Sequence, residues 1–334
     1  MQNTNAIELK ALRKEFKANG GKVVAVDGIS FTVKEGEIFG LLGPNGAGKT
    51  TTMSMLTTIL SKTSGSVKIC GFDVVREKEK VRELIGIIFQ DPSLDDELTA
   101  RENLDFHARL YGVKENKKSI IEDVLKLVEL EGYADRQVKT FSGGMKRRLE
   151  IARGFIHYPK VLFLDEPTIG LDPQTRRKIW SYITRLNKEK NLSIILTTHY
   201  MEEADELCDR IAIIDHGKII KMGTPEGLKN SFGGDVIRIG TTEKKELHAL
   251  LKKVSGIKNI KESETGIEIF GNDGSRLMPI IAKAANKNKL EIDYMTVKRP
   301  TLEDVFIGLT GRDIRDESAS SKDVLRAFTR GRNR

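Results

Sequence analysis

Gly43-Pro44-Asn45-Gly46-Ala47-Gly48-Lys49-Thr50 constrains this chain more than any other stretch. The apolar run Ile38-Phe39-Gly40-Leu41-Leu42 precedes it and reads as a buried strand; residues 51–60, beginning at Thr51, follow it and read as a helix. Strand, glycine-rich turn, then Lys-Thr opening a helix is the context of a P-loop that cradles the phosphates of a nucleoside triphosphate. Glycines let backbone N–H groups close around an anion. The helix start adds unpaired N–H groups and roughly half a unit of positive charge. Lys49 can reach the β- and γ-phosphates, and the Thr50 hydroxyl can ligate Mg²⁺. An ordinary glycine turn is the bland alternative, and motif and context together argue against it.

Four further features narrow what a bound nucleotide is for. Val161-Leu162-Phe163-Leu164 is a fully apolar strand ending in Asp165-Glu166. A carboxylate at such a strand end holds Mg²⁺, usually through water, which assigns Asp165 to the metal. Successive side chains of a strand face opposite sides, so Glu166 is predicted to turn away from Asp165 and face an attacking water as general base. Such a base contributes roughly 10²–10⁴-fold in rate. Gln90 closes another apolar strand, residues 85–89, where its amide suits both the metal and the water. His199 ends a third strand, residues 192–197, at the same edge and suits a hydrogen bond to γ-phosphate. Taken singly, both read equally as surface or structural residues, the reading kept for His107, His157, His216 and His248. Ser142-Gly143-Gly144-Met145 opens a helix and makes a second anion-binding end. A chain that already holds phosphates has no evident use for another γ-phosphate clamp. A clamp supplied to a second subunit makes sense of it; a plain N-cap is the alternative.

The chain has 334 residues, enough for one large domain and one small one. Its 39% hydrophobic residues suffice for a buried core. No apolar run approaches the length of a membrane span, and residues 1–14 lack the apolar centre of a signal peptide, so residence in the cytosol is the expectation. The net charge of +8 is spread, without the interleaved aromatics of a nucleic-acid platform, and no nucleic-acid partner is expected. Cys70 and Cys208 match no metal spacing and are expected as reduced, buried thiols.

Fully apolar strands alternating with helices indicate an α/β core with parallel strands. Strand-like segments at 7–17, 23–26, 29–33 and 66–70 accompany it, with a turn at Asn19-Gly20-Gly21. Residues 92–140 become helical, with Thr99-Ala100-Arg101-Glu102 as a capping box and Ile121, Val124, Leu125 and Val128 as an apolar face. Asp172-Pro173 starts a helix, and His216-Gly217 makes a hairpin turn. Composition shifts near residues 231–234. Beyond, the order β (235–240), α (243–254), β (256–263), β (266–271), α (275–288), β (290–298) predicts a small ferredoxin-like α+β domain. Its buried helical stripes read as Leu247, Leu250, Leu251, Val254 and as Leu277, Ile280, Ile281, Ala284. A helix from Thr301 closes it, and residues 311–334 read as a flexible basic tail with a weak helical patch at 324–328.

With these residues assembled, the chain resembles the ATP-binding subunits of ABC transporters over roughly residues 5–225. In that resemblance residues 43–50 are Walker A, Gln90 the Q-loop, and Phe141-Ser142-Gly143-Gly144-Met145 the signature motif. Asp165 and Glu166 close Walker B, Gly170-Leu171-Asp172 is the D-loop, and His199 the switch histidine. Phe16 falls where the family stacks an aromatic ring on adenine. The signature usually reads Leu-Ser-Gly-Gly-Gln, so Phe141 and Met145 depart from it, while the phosphate-contacting Ser142 and Gly144 remain.

The resemblance implies a P-loop NTPase fold for residues 5–230, with a RecA-like core, a β-subdomain and a helical subdomain at about 92–157, then an accessory domain at 235–310. It implies ATP and Mg²⁺ as cofactors, Glu166, His199 and Gln90 in catalysis, and Thr50, Gln90 and Asp165 toward the metal. The implied nucleotide-binding set is Phe16, Gly43, Pro44, Asn45, Gly46, Ala47, Gly48, Lys49, Thr50 and Thr51, with Ser142, Gly143 and Gly144 facing the P-loop of a second copy in a homodimer. Residues 142–152 and 170–176, the C-terminal domain and Thr301-Leu302-Glu303-Asp304-Val305-Phe306 further resemble daunorubicin-resistance-type drug exporters of the ABC-2 class. There the membrane permease is a separate chain, the ATPase sits on the cytoplasmic face of the membrane, and a drug or other hydrophobic compound is exported. The competing classes are a soluble ABC ATPase without a transport role, a chromosome-organising or repair ATPase, and a nucleotide sensor. A single P-loop and signature, no sustained heptads between residues 50 and 161, and intact Glu166 and His199 argue against them in turn.

Overall fold

The computed structural model describes residues 5–18, 21–91, 93–231, 234–263, 266–271 and 273–310. Asn19 and Gly20 of the first expected turn, Phe232 and Gly233 at the composition shift, and the tail 311–334 with its helical patch lie outside the described residues. The fold divides into two compact units between Met222 and Gly223. Among the described residues no helix is long and apolar enough to cross a membrane.

The first unit opens with β1 (Asn5–Ala18) and β2 (Gly21–Lys34), paired antiparallel. The two short strands expected at 23–26 and 29–33 are one element, because Gly28 takes φ 70 and lets β2 bend without ending. There follow β3 (Ile38–Leu42), α1 (Lys49–Leu56), β4 (Ser64–Ile69), β5 (Phe72–Asp73), α2 (Lys78–Leu84) and β6 (Ile85–Ile88). Helix α1 starts and stops earlier than expected, with Thr58 in a left-handed conformation at φ 63 just beyond its end. Cys208 is buried, but Cys70 is only half-buried, since it sits at φ 48 in the turn between β4 and β5.

The helical segment comprises α3 (Ala100–Leu110), α4 (Lys117–Leu127) and α5 (Gly143–Phe155). The predicted capping box opens α3: Glu102 N–H donates to Thr99 Oγ1 at 3.1 Å, and Thr99 N–H donates to Glu102 Oε2 at 2.8 Å. Then come β7 (Val161–Asp165), α6 (Pro173–Lys190), β8 (Ser193–Thr198), α7 (Met201–Leu207), β9 (Arg210–Asp215) and β10 (Lys218–Gly223). Asp172 caps α6 through Thr175 N–H at 2.9 Å, with Pro173 at the first helical position. His216 and Gly217, at φ 46 and 74, make the turn between β9 and β10.

One sheet runs β2-β1-β4-β5, and the other runs β10-β9-β3-β8-β7-β6. In the second, β9, β3, β8, β7 and β6 run parallel to one another. Every residue of β3, β7 and β8 is buried, as expected of parallel strands covered on both faces. The sheets share a core in which Phe31 of β2 stacks on Phe39 of β3, ring centroids 4.8 Å apart. Parallel pairing brings the carboxyl ends of these strands to one edge, where ligands of α/β sheets bind. The spatial order β3, β8, β7, β6 therefore sets Gly43, His199, Asp165 with Glu166, and Gln90 along that edge.

The second unit contains α8 (Pro225–Ser231), β11 (Asp235–Gly240), α9 (Lys244–Leu251), β12 (Ile257–Ser263), β13 (Gly266–Gly271), α10 (Gly274–Lys287), β14 (Tyr294–Lys298) and α11 (Leu302–Thr310). Its sheet order β12-β13-β11-β14, with antiparallel neighbours, is that of a ferredoxin-like fold. Leu247 and Leu251 of α9 and Leu277 and Ile281 of α10 pack on Ile237, Ile239, Ile267 and Ile269. The stripe on α10 runs Leu277, Ile281, Ala285 at four-residue spacing, leaving the expected Ile280 46% exposed. Thr301 and Asp304 cap α11 reciprocally.

Candidate active site

The P-loop follows β3 and leads into α1. Gly46 and Gly48 have φ 83 and 102, conformations that side chains disfavour. A Cβ on Gly43 would lie 2.2 Å from the Ile214 carbonyl oxygen, so the loop passes its neighbour with no room for a side chain. Lys49 is buried; its Nζ donates to the carbonyls of Gly43 at 2.7 Å and Pro44 at 3.0 Å. It also lies 3.6 Å from Glu166 Oε1. Burial pushes the Lys49 pKa down, partly offset by the carboxylates of Glu166 and Asp165.

Asp165 is the last residue of β7 and is buried. Its Oδ1 accepts hydrogen bonds from the Thr197 hydroxyl and, at 3.4 Å, from Thr50 Oγ1. Burial raises the carboxyl's pKa against these hydrogen bonds. Glu166 departs from the expected strand alternation. Its backbone turns left-handed at φ 46, which costs an ordinary residue about 1–2 kcal/mol. Its N–H donates to both the carbonyl and the hydroxyl of Thr197, each at 3.1 Å. The turn swings its carboxylate toward the P-loop, on the side where Thr50 meets Asp165. Glu166 Oε1 lies 3.2 Å from His199 Nδ1 as well as 3.6 Å from Lys49 Nζ. Burial works to raise its pKa, but His199 and Lys49 outweigh it and hold the carboxyl below the usual glutamate range. The result is a buried carboxylate, favoured in its ionised form, flanked by two basic nitrogens. His199 packs against Tyr200, whose other neighbour is the Arg176 guanidinium.

The contacts thus join Lys49, Thr50, Asp165, Glu166 and His199. Thr50 and Asp165 offer a hydroxyl and a carboxylate converging at 3.4 Å, a hard oxygen pair that fits Mg²⁺ completed by water and phosphate. Gln90 is exposed just past β6, and Phe16 is half-buried on β1 with the Lys14 ammonium 4.9 Å from its ring centroid. Asn45, Ala47 and Thr51 lie in the loop and at the start of α1. Ser142 caps α5 by accepting from Met145 N–H at 3.3 Å, so the cap uses the Met145 backbone whatever its side chain. Gly143 and Gly144 form the first turn of α5, and a Cβ on Gly144 would come within 2.5 Å of the Thr175 methyl on α6.

Sequence reasoning missed three polar groups. Thr197 organises both carboxylates, though a threonine in an apolar strand reads as filler. Arg147 is buried within the basic run Lys146-Arg147-Arg148, which reads as solvated surface. Glu203 of α7 is fully buried, and its Oε1 accepts from Thr168 Oγ1 at 2.7 Å and Trp180 Nε1 at 3.0 Å. Burial raises the Glu203 pKa against those hydrogen bonds. An acid with a raised folded pKa adds most stability below its ordinary value of 4.5 and loses that advantage as pH climbs through the folded value. Glu203→Gln keeps an acceptor oxygen and does not titrate. Its melting temperature should gain on the native protein as pH rises from 5 to 8, by roughly a few °C. Thermal melts across that range test this; a gap that narrows with rising pH would contradict it.

The chain matches the ABC transporter family over residues 26–169, and a family described as ATP-binding protein DrrA1-3-like, C-terminal domain, over residues 223–310. It is 40% identical over 309 residues to the linearmycin resistance ATP-binding protein of Bacillus subtilis, covering 91% of this chain and 99% of that protein. It is 39% identical over 324 residues to the daunorubicin/doxorubicin resistance ATP-binding protein of Streptomyces peucetius, covering 95% and 96%. The Nod factor export ATP-binding protein I of a Rhizobium species is 39% identical over 311 residues, covering 92% and 98%. Among solved structures, a dimeric ATP-binding cassette in a post-hydrolysis state with ADP and phosphate superposes with a TM-score of 0.59 at 28% identity, covering 65% of this chain and 98% of that one. With its P-loop, paired carboxylates and histidine on one sheet edge, and with relatives this similar over nearly its whole length, the chain belongs to the ATP-binding proteins of the ABC transporter family.

Proposed function

We propose that this ATPase works as a homodimer on the cytoplasmic face of the membrane and powers export of a drug or other hydrophobic compound through a separate ABC-2 type permease. The observation that carries the hydrolytic part is the placement of Glu166 between Lys49 and His199, beside Asp165 and Thr50. On nucleotide binding, Lys49 exchanges the Gly43 and Pro44 carbonyls for phosphate oxygens. Thr50 and Asp165, with the Gln90 amide, would hold Mg²⁺, which when bound would supply charge neutralisation at the phosphates. Glu166 accepts the proton of the attacking water, and His199 orients Glu166 and reaches toward the γ-phosphate. Phe16 stacks on the adenine. Ser142 and Gly144 of the second copy close over the γ-phosphate; the exposure of Ser142 at a helix N-terminus supports this reading.

Coupling to the permease is proposed through a groove of about 670 Å³ beside Gln90, where Ile59, Phe89, Phe106, Leu110 and Tyr111 are exposed. Ser93, Asp95 and Leu98 also line it, so the segment after Gln90 joins the nucleotide site to this apolar surface. A cytoplasmic segment of the permease is the occupant that fits, since movement of that segment would then be felt by both. Phe106→Asp with Leu110→Asp removes about 1.5–3 kcal/mol of apolar burial per side chain. Co-purification with the permease from detergent-extracted membranes should therefore fall at least about tenfold. Undiminished co-purification would remove the groove from the coupling role, and an absence of membrane association in the native protein would favour a soluble ATPase.

A further inference from the structure

Arg147 lies on α5, five residues past Ser142, and is 7% exposed. Its guanidinium has five N–H donors, and each finds an acceptor. Nε donates to the Pro167 carbonyl at 2.6 Å. Nη1 donates to the Phe89 carbonyl at 2.7 Å and to Glu150 Oε2 at 2.9 Å. Nη2 donates to the carbonyls of Asp165 and Glu166, both at 3.2 Å. Four of the five acceptors are backbone oxygens. Three belong to the turn in which Glu166 holds its left-handed conformation, and the fourth belongs to the residue before Gln90. The same helix grips the far side of that second segment. Glu150 Oε1 accepts from Ser93 N–H at 2.9 Å, and Arg153 donates to the carbonyl and hydroxyl of Ser93.

We propose that Arg147 is a positioning residue for ATP hydrolysis: it fixes the turn that aims Glu166 and fastens it to the segment carrying Gln90. A strained backbone persists only where its surroundings over-determine it, and Thr197 on one side and Arg147 on the other do so here. Because Arg147 and Ser142 share one rigid helix, the exposed end of α5, the base and the Gln90 segment move together. This rests on the reading of Glu166 as general base.

The test is a double-mutant cycle of Arg147→Lys and Glu166→Gln, read as kcat and KM for MgATP. Lysine keeps the charge but concentrates its donors at one point and cannot span four carbonyls. Since misplacing a reacting group by about 1 Å costs on the order of 10²-fold, Arg147→Lys should lower kcat roughly 10–100-fold with KM changed less than about threefold. In the Glu166→Gln background the same change should alter the residual rate less than about twofold. Native kcat in Arg147→Lys, or an equal loss in both backgrounds, overturns the proposal. Failure of the underlying reading shows separately, as near-native turnover in Glu166→Gln alone. Should Arg147→Lys not fold, Arg147→Gln takes its place: its amide keeps only two N–H donors and cannot span four carbonyls. Its kcat should fall at least about tenfold with KM little changed, and a native kcat would overturn the proposal.

Discussion

Glu166→Gln should lose at least about 10²-fold of ATP hydrolysis while still binding ATP, and should accumulate as an ATP-bound dimer. The amide is nearly isosteric, so the turn at φ 46 and its backbone bond to Thr197 survive the change. What is lost is the buried carboxylate that His199 and Lys49 keep ionised. An amide cannot take a proton from water, so the chemical step stalls after binding. Binding itself draws on the P-loop backbone, Lys49 and Thr50, which the substitution leaves in place. Single-turnover hydrolysis beside an equilibrium nucleotide-binding measurement checks this. Near-normal turnover would take the base role from Glu166, and weakened binding with normal chemistry would make it a ligand.

Ser142→Arg should be nearly as damaging to hydrolysis, and by a different route. Ser142 is exposed at the start of α5, and its hydroxyl accepts from the Met145 N–H. An arginine there loses a cap, which costs about 1 kcal/mol, and sets a bulky side chain at the face proposed to meet another copy. Losing one donor aimed at developing charge costs roughly 10²–10³-fold, and obstructing closure removes the remaining donors too. ATP binding by the isolated chain should stay within about threefold of native, because Lys49, Thr50 and Asp165 lie on other elements. Equal loss of binding and hydrolysis would place Ser142 at its own chain's nucleotide.

Much of this site is legible in the sequence because its parts are local. A P-loop is a contiguous glycine turn between a strand and a helix, and Asp165, Gln90 and His199 each mark the end of an apolar run. Parallel pairing then does the rest, by bringing strand ends to one edge. The Thr99–Glu102 capping box and the Asp172-Pro173 helix start are likewise written in four-residue windows. What was not legible depends on partners far along the chain. Strand alternation does not apply at Glu166, which lies past the end of β7 in a left-handed turn bonded by Thr197 and Arg147. Arg147 itself looks like one more surface cation until carbonyls 18 to 58 residues away surround it. Ile280 has the right spacing for the core of the second unit, but a helix can bury only one of two neighbouring stripes against a four-stranded sheet.

The central claim is that the site built on the P-loop is completed by a second copy of the chain. Mixing Ser142→Arg chains with Lys49→Ala chains tests it most directly. Each variant alone should be inactive. A mixed dimer has one sound composite site, with the P-loop from the Ser142→Arg chain and the signature helix from the Lys49→Ala chain. Random assortment of a two-fold dimer at equal ratio should then restore roughly a quarter of native hydrolysis. The restored rate should rise and fall with the mixing ratio, peaking near equality. Hydrolysis that stays at the level of the two parents at every ratio would contradict the account.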